Sequence, residues 1–183
     1  MVDALGGWGA VESAPHRLAP ISEPGAPVPE LRAGLLVADR YELRESLAPP
    51  AETTYRALDR TSRQQVLIHF LIGTPIDASL ARHFATARSV SHPNVCRVHD
   101  LVPTAWGPAV IMEGLRGETL AAWLAKARAG AGVDVDAFRR IASDIFTALG
   151  AIHAHGVTHG GLDARSVLIT ERKAVVLLSL IHI

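Results

Sequence analysis

The side chains in this sequence best suited to metal or proton chemistry are its nine histidines, three of which, His153, His155 and His159, fall close together. Imidazole is a common zinc ligand, but such sites also draw on cysteine, aspartate or glutamate. No cysteine or paired acid accompanies these three. An i, i+2 spacing also puts His153 and His155 on different faces of a helix. No metal site is expected. A Ser-His-Asp triad would need a geometry that spacing alone does not supply. Cys96 is the single cysteine, which excludes an intrachain disulfide framework and suits a reducing compartment. Lysine occurs only at Lys126 and Lys173, the other basic residues being arginine, so few ammonium groups are on hand to meet a phosphate.

The elements that must position these groups can be read from hydrophobic period. Residues 1–38 are rich in Pro, Gly and Ala without a regular apolar spacing, which reads as a flexible leader. A folded pattern begins near Arg40. Strands are predicted over Arg40–Leu47, Thr54–Leu58 and Gln64–Leu71, with turns at Leu47–Thr53 and Asp59–Arg63. Asp77–Val90 reads as a helix carrying Leu80, Phe84 and Ala87 on one face. Cys96–Val102 and Pro108–Met112 read as a strand pair. Thr119–Arg128 is a helix capped by Thr119. Val135–His155 is the strongest helical pattern, with Phe138, Ile141, Ile145, Leu149 and Ile152 at helical spacing and Gly156 as its stop. Val167–Thr170 and Ala174–Leu178 are short strands about a polar turn. The class is α+β in two segregated parts.

The 183 residues fit one domain, or part of one, plus an extension, and just under half of them are hydrophobic, enough for a sizeable core. Eighteen basic residues balance eighteen acidic ones and no basic block stands out, which argues against nucleic acid or an anionic membrane as partner. No apolar run is long enough to span a bilayer and no secretory signal opens the chain, so a cytoplasmic location is expected.

Three stretches in order carry a resemblance: SHPNVCRVHDL (Ser91–Leu101), IMEGLRGETL (Ile111–Leu120) and HAHGVTHGGLDARSVLI (His153–Ile169). With RYELRESL and YRALD upstream, they resemble the protein kinase family, bacterial Ser/Thr kinases above all, over roughly Arg40 to Leu177. The resemblance implies an antiparallel-sheet small lobe at 39–111 with one helix of the αC type. The hinge and first helices of a large lobe follow at 112–177.

Set against the family pattern, the positions that carry phosphoryl transfer are altered. The turn LAPPAET stands where a glycine-rich loop would cradle the phosphates. It has no glycine, and Pro49 and Pro50 have no N–H to donate. His69 replaces the third-strand lysine, and no carboxylate between Leu80 and Asn94 replaces its usual glutamate partner; His83 or Thr86 stands there instead. In the catalytic loop His159 is kept, with an expected structural role. Gly161 replaces the aspartate that takes the substrate proton, Asp163 the lysine and Ser166 the metal-binding asparagine. The plainer reading of His69 is a half-buried histidine with no ligand. The hinge is better preserved: Leu47, Leu67, Met112, Glu113 and Leu115 line the implied adenine pocket, where Leu67 is bulkier than the family's alanine.

The resemblance therefore implies a degenerate kinase domain, a pseudokinase that acts as a regulatory or protein-binding scaffold with a protein partner. Two readings stand beside it. One is a divergent Ser/Thr kinase using ATP and Mg²⁺, with Arg56 the candidate substitute cation. The other is a non-functional fragment. Residues 178–183 (LSLIHI) leave the family pattern where Asp-Phe-Gly is expected and resemble translated adapter sequence. On that expectation the natural protein continues, and without its continuation the Phe138–Ile152 face lacks partners.

Overall fold

The computed structural model describes residues 30–47, 53–130, 132 and 134–177. The leader up to residue 29, most of the LAPPAET turn and the 178–183 tail lie outside the described residues. In chain order the elements are β1 (Leu36–Val37), β2 (Tyr41–Ser46), β3 (Thr54–Asp59), β4 (Gln65–Phe70), α1 (Ala78–Ser89), β5 (Val98–Thr104), β6 (Gly107–Glu113), β7 (Glu118–Thr119), α2 (Leu120–Ala129), α3 (Val135–Ala154), β8 (Val167–Ile169) and β9 (Ala174–Val176). An antiparallel sheet runs β1-β2-β3-β4-β6-β5, and a second, smaller one runs β7-β8-β9.

Period-2 alternation sorts the large sheet into two apolar faces. Val66, Ile68 and Phe70 of β4 join Tyr41, Tyr55 and Ile111 in one cluster. Leu67 and Leu71, from the intervening positions, join Val110, Met112 and the α1 residues Leu80 and Ala87 in the other. That second cluster runs on through Val157, Leu168 and Val175 to Ala148 and Ile152 of α3, so one continuous core connects the sheet to the helical part. Phe70 anchors the first cluster by edge contacts with Tyr55 at 6.1 Å and Trp106 at 5.6 Å between centroids.

The fold starts earlier than Arg40. Leu36–Val37 pair with Tyr41 and Glu42, and the Tyr55 hydroxyl donates to the Leu31 carbonyl at 3.1 Å. The link between β1 and β2 is a tight turn in which Ala38 and Asp39 both take positive φ. The expected start of β5 at Cys96 also moves: the strand begins at Val98, and Cys96 instead donates its N–H to the Val176 carbonyl of β9 at 2.8 Å.

Helix caps match their residues. Asp77 accepts from the Leu80 N–H, Thr119 from Ala122, and Asp134 from Asp136 and Ala137. Gly156, at φ 72°, follows α3 in the left-handed region that favours glycine. The buried stripe of α3 is Ala148 and Ile152, with Ile141 and Ile145 packed part-way against the core. Phe138 belongs to the same periodic set but is 58 % exposed, and Phe146 is 73 % exposed.

Candidate functional site

The segment joining the two parts, 113–119, is held from three sides. The Glu113 N–H donates to the Arg97 carbonyl at 2.8 Å. At Gly114 a Cβ would collide with the Gln65 carbonyl oxygen, so only glycine lets the backbone run this close to β4. From β3, Arg56 donates through Nη1 to the Leu115 carbonyl at 3.0 Å and through Nη2 to the Gly117 carbonyl. Its Nε faces Glu45 at 2.8 Å. Arg56 is therefore spent on the hinge backbone, not free to meet a phosphate. Replacing it with Gln is expected to cost about 1–2 kcal/mol, read as a lower urea midpoint at unchanged m; an unmoved midpoint would remove Arg56 from the hinge's support.

Of the residues expected to line an adenine pocket, Leu67 and Met112 are register partners on β4 and β6 and are wholly buried together with Leu168. Leu47 and Leu115 pack part-way against the same cluster. Glu113 is exposed, and its carbonyl accepts the Cys96 thiol at a sulfur distance of 3.7 Å. Burial pushes that thiol's pKa well up, so Cys96 is an inert core residue rather than a nucleophile. Leu47, Leu67, Met112 and Leu115 thus belong to or pack against one apolar cluster, and the Glu113 and Leu115 carbonyls each already accept a hydrogen bond.

His69 pairs within the sheet. Thr54 is its register partner, and the Thr54 hydroxyl meets the imidazole Nδ1 at 2.8 Å. Burial pushes His69 down to about 4, so the ring is neutral at pH 7. A neutral ring bound to a hydroxyl cannot reproduce the lysine's charge. Sequence reasoning missed Thr54; the signal was its inward position opposite His69 on the neighbouring strand.

The residues expected to form a catalytic loop sit between α3 and β8. His159 is buried and donates from Nε2 to the Leu177 carbonyl at 2.7 Å, tying the loop to the chain beyond β9. Gly161 presents no side chain. Asp163 closes a local turn: one oxygen accepts from the Arg165 and Ser166 amides at 2.8 and 2.9 Å, and the other meets the Arg165 guanidinium at 2.7 Å. Burial raises the Asp163 pKa, but hydrogen bonds from the Arg165 side chain and the Arg165 and Ser166 amides outweigh it and leave the carboxyl below its usual range. The Ser166 hydroxyl donates to the Asp163 carbonyl at 2.8 Å. Asp163 and Ser166 are thus brought together, but with each other rather than with His69.

Asn94, also missed as a tether, is buried in the turn after α1. Its side chain donates to the Ala174 carbonyl at 2.8 Å and its own carbonyl accepts the Val176 N–H at 2.8 Å, so SHPN pins the sheet part to β9. Among the described residues no group of three or more His, Cys, Asp or Glu side chains is placed to hold a metal ion. His153 and His155 are exposed, whereas His159 is buried.

Comparison with known proteins fits this geometry. The family described as protein tyrosine and serine/threonine kinase matches residues 51–179. The chain belongs to the protein kinase family. It is similar to CBL-interacting protein kinase 19 of Oryza sativa subsp. japonica, 30 % identical over 146 residues, covering 76 % of this chain and 28 % of the relative. It is also similar to the serine/threonine-protein kinase Pkn1 of Myxococcus xanthus, 32 % identical over 94 residues, covering 50 % and 13 %. The chain thus spans less than a third of the length of these kinases. Among solved structures, the kinase domain of PknI from M. tuberculosis superposes with a TM-score of 0.66 at 21 % identity, covering 83 % of this chain and 62 % of that one. Rad53 1–466, solved in complex with AMP-PNP, gives 0.65 at 20 % identity, covering 77 % and 38 %. These likenesses establish the kinase-like fold: a curled antiparallel sheet with one inserted helix, followed by helices. No helix among the described residues is long and apolar enough to cross a membrane.

Proposed function

We propose that this is a catalytically impaired kinase domain, a pseudokinase that serves as a regulatory or protein-binding scaffold. One observation carries the reading. Position 161, which matches the family's proton-accepting aspartate, is glycine, and the nearest carboxylate, Asp163, is committed to Arg165 and the loop amides. A general base must reach the proton it removes, with a pKa suited to holding it. Asp163 meets neither need.

Nucleotide phosphates and Mg²⁺ fit the residues poorly. His69 is neutral and bonded to Thr54, and the Ser166 hydroxyl donates back into its own loop. Losing one preorganised electrostatic donor typically costs about 10²–10³ in rate, and here base, cation and metal ligand are all changed. The relatives' names favour a second reading, a divergent Ser/Thr kinase, but its candidate cation Arg56 is bound to the hinge. The apolar cluster of Leu47, Leu67, Met112 and Leu115 leaves adenine binding without transfer as part of the scaffold reading.

The deciding experiment is a phosphotransfer assay on the purified chain with labelled ATP and Mg²⁺, a generic protein substrate and an active Ser/Thr kinase as control. Labelling no higher than in the enzyme-free blank is expected. ATP-dependent labelling that tracks the purified protein would overturn the proposal.

A further inference from the structure

We propose that an open cavity behind the hinge binds a phosphorylated peptide segment. The cavity, of about 470 Å³, is lined by Glu113 and Leu115 of the hinge but by none of Leu47, Leu67 or Met112. It shares those two hinge residues with the implied adenine pocket but lies on the other side of them from Leu47, Leu67 and Met112, and its use does not depend on whether the domain transfers phosphate. Its walls come from the turn between α1 and β5, the start of β5, the hinge and the β8–β9 hairpin, so an occupant would touch both parts of the fold.

The wall carries five side chains able to donate: Ser91, His92, Arg97, His99 and Lys173. Their partners among the described residues leave donors to spare. Among the described residues the Arg97 side chain donates to the Ser91 hydroxyl oxygen, at 3.3 Å, which leaves further guanidinium N–H groups and the serine hydrogen. The His92 Nδ1 accepts the Asn94 N–H at 3.1 Å, so the proton of a neutral ring sits on Nε2. Of the two lysines, Lys126 is paired with Glu118 at 2.7 Å. Lys173 has no carboxylate within ion-pair distance among the described residues, nor has Arg97. Glu113, the one acid on the wall, forms no ion pair with either of them there.

Two fixed cations against one carboxylate favour an anion, and the number of donors favours phosphate over carboxylate. A phosphate monoester offers three terminal oxygens and a charge of about −1.5 to −2, matched by a guanidinium fork, an ammonium and hydroxyl or imidazole donors. The cavity is larger than an inorganic ion needs. Its remaining wall is apolar, including Val95, Pro93 and Val175, which suits residues flanking a phosphoserine or phosphothreonine rather than free phosphate.

The test is fluorescence anisotropy on the full chain with a fluorescein-labelled, valine-flanked phosphoserine peptide, compared with its unphosphorylated twin and a twin carrying glutamate instead. The phosphopeptide is expected to bind at least about tenfold tighter than either twin and to weaken as salt rises. Arg97→Gln and Lys173→Gln should each weaken it, and the double variant should abolish the preference. Neither side chain is part of the core, and circular dichroism checks that the variants fold. Absence of binding, equal binding of the unphosphorylated twin, or an unchanged preference in the double variant would overturn the proposal. A glutamate twin that binds as tightly would overturn its assignment to phosphate.

Discussion

Asp59→Asn should destabilise the fold by about 2–4 kcal/mol, and the gap from the unaltered protein should shrink in acid. Asp59 ends β3 and is almost fully buried. Its carboxylate takes both arms of Arg40, Nε at 2.9 Å and Nη2 at 2.7 Å, together with the Thr61 amide at 2.9 Å and the Ser62 hydroxyl at 2.8 Å. Asparagine keeps the volume but loses the charge and one acceptor, so Arg40 is left without its counterion. Arg40 is 41 % exposed in its side chain, and the water it meets keeps the cost below that of a fully buried pair. The Arg40 hydrogen bond holds the Asp59 pKa well below the usual carboxylate range, against a smaller opposing effect of burial. For a depressed folded pKa the stabilisation is complete above the unfolded value near ~4 and is lost as pH falls towards the folded one. Urea titrations of both proteins from neutral pH downward should therefore show a constant gap above about pH 5 that closes below it. A gap that stays constant into acid would mean that the carboxylate's charge is not what stabilises this corner.

Much of the fold was legible because the pattern here is local. The apolar run of QVLIHF marked a strand, and Thr119 and Gly156 marked helix ends by their chemistry. Two short strands were not legible. Leu36–Val37 and Glu118–Thr119 are too short to show a period and exist only through pairing with Tyr41–Glu42 and Leu168–Ile169. The helical spacing of Phe138 with Ile141 and Ile145 gave their shared face, but spacing says which residues align, not what covers them. At the site, chemistry was readable by position and geometry was not. That His69 and Gly161 stand where the kinase resemblance expects a lysine and an aspartate could be read in the sequence. That His69 turns to Thr54 depends on strand register, and that Arg56 bonds the Leu115 carbonyl fifty-nine positions away depends on the tertiary approach of that segment to β3.

Leu67→Ala is expected to do two opposite things: lower stability by about 2–4 kcal/mol and raise adenosine affinity by at least about tenfold. Leu67 is fully buried, lies opposite Arg56 on β3 and Met112 on β6, and packs in the cluster that holds Leu168. Truncation removes apolar contacts that the rigid strands on both sides cannot close over, hence the loss. The space released lies beside Met112, where the kinase resemblance puts the purine, and an adenine ring refilling it would recover part of the lost packing. Titration calorimetry with adenosine, at a temperature where circular dichroism shows the variant folded, measures the gain; Leu67→Val, which removes less, should give a smaller one. Affinity no better than in the unaltered protein would show that Leu67 does not govern access to this site. Adding His69→Lys should not bring phosphotransfer with it. The ammonium would enter a position that already disfavours a charged imidazole, with no carboxylate on the facing stretch of α1, and Gly161 would still offer no base. On the proposed reading, a double variant that binds ATP and remains inactive would separate two effects, bulk at Leu67 that limits occupancy and charges absent at 69 and 161 that limit chemistry.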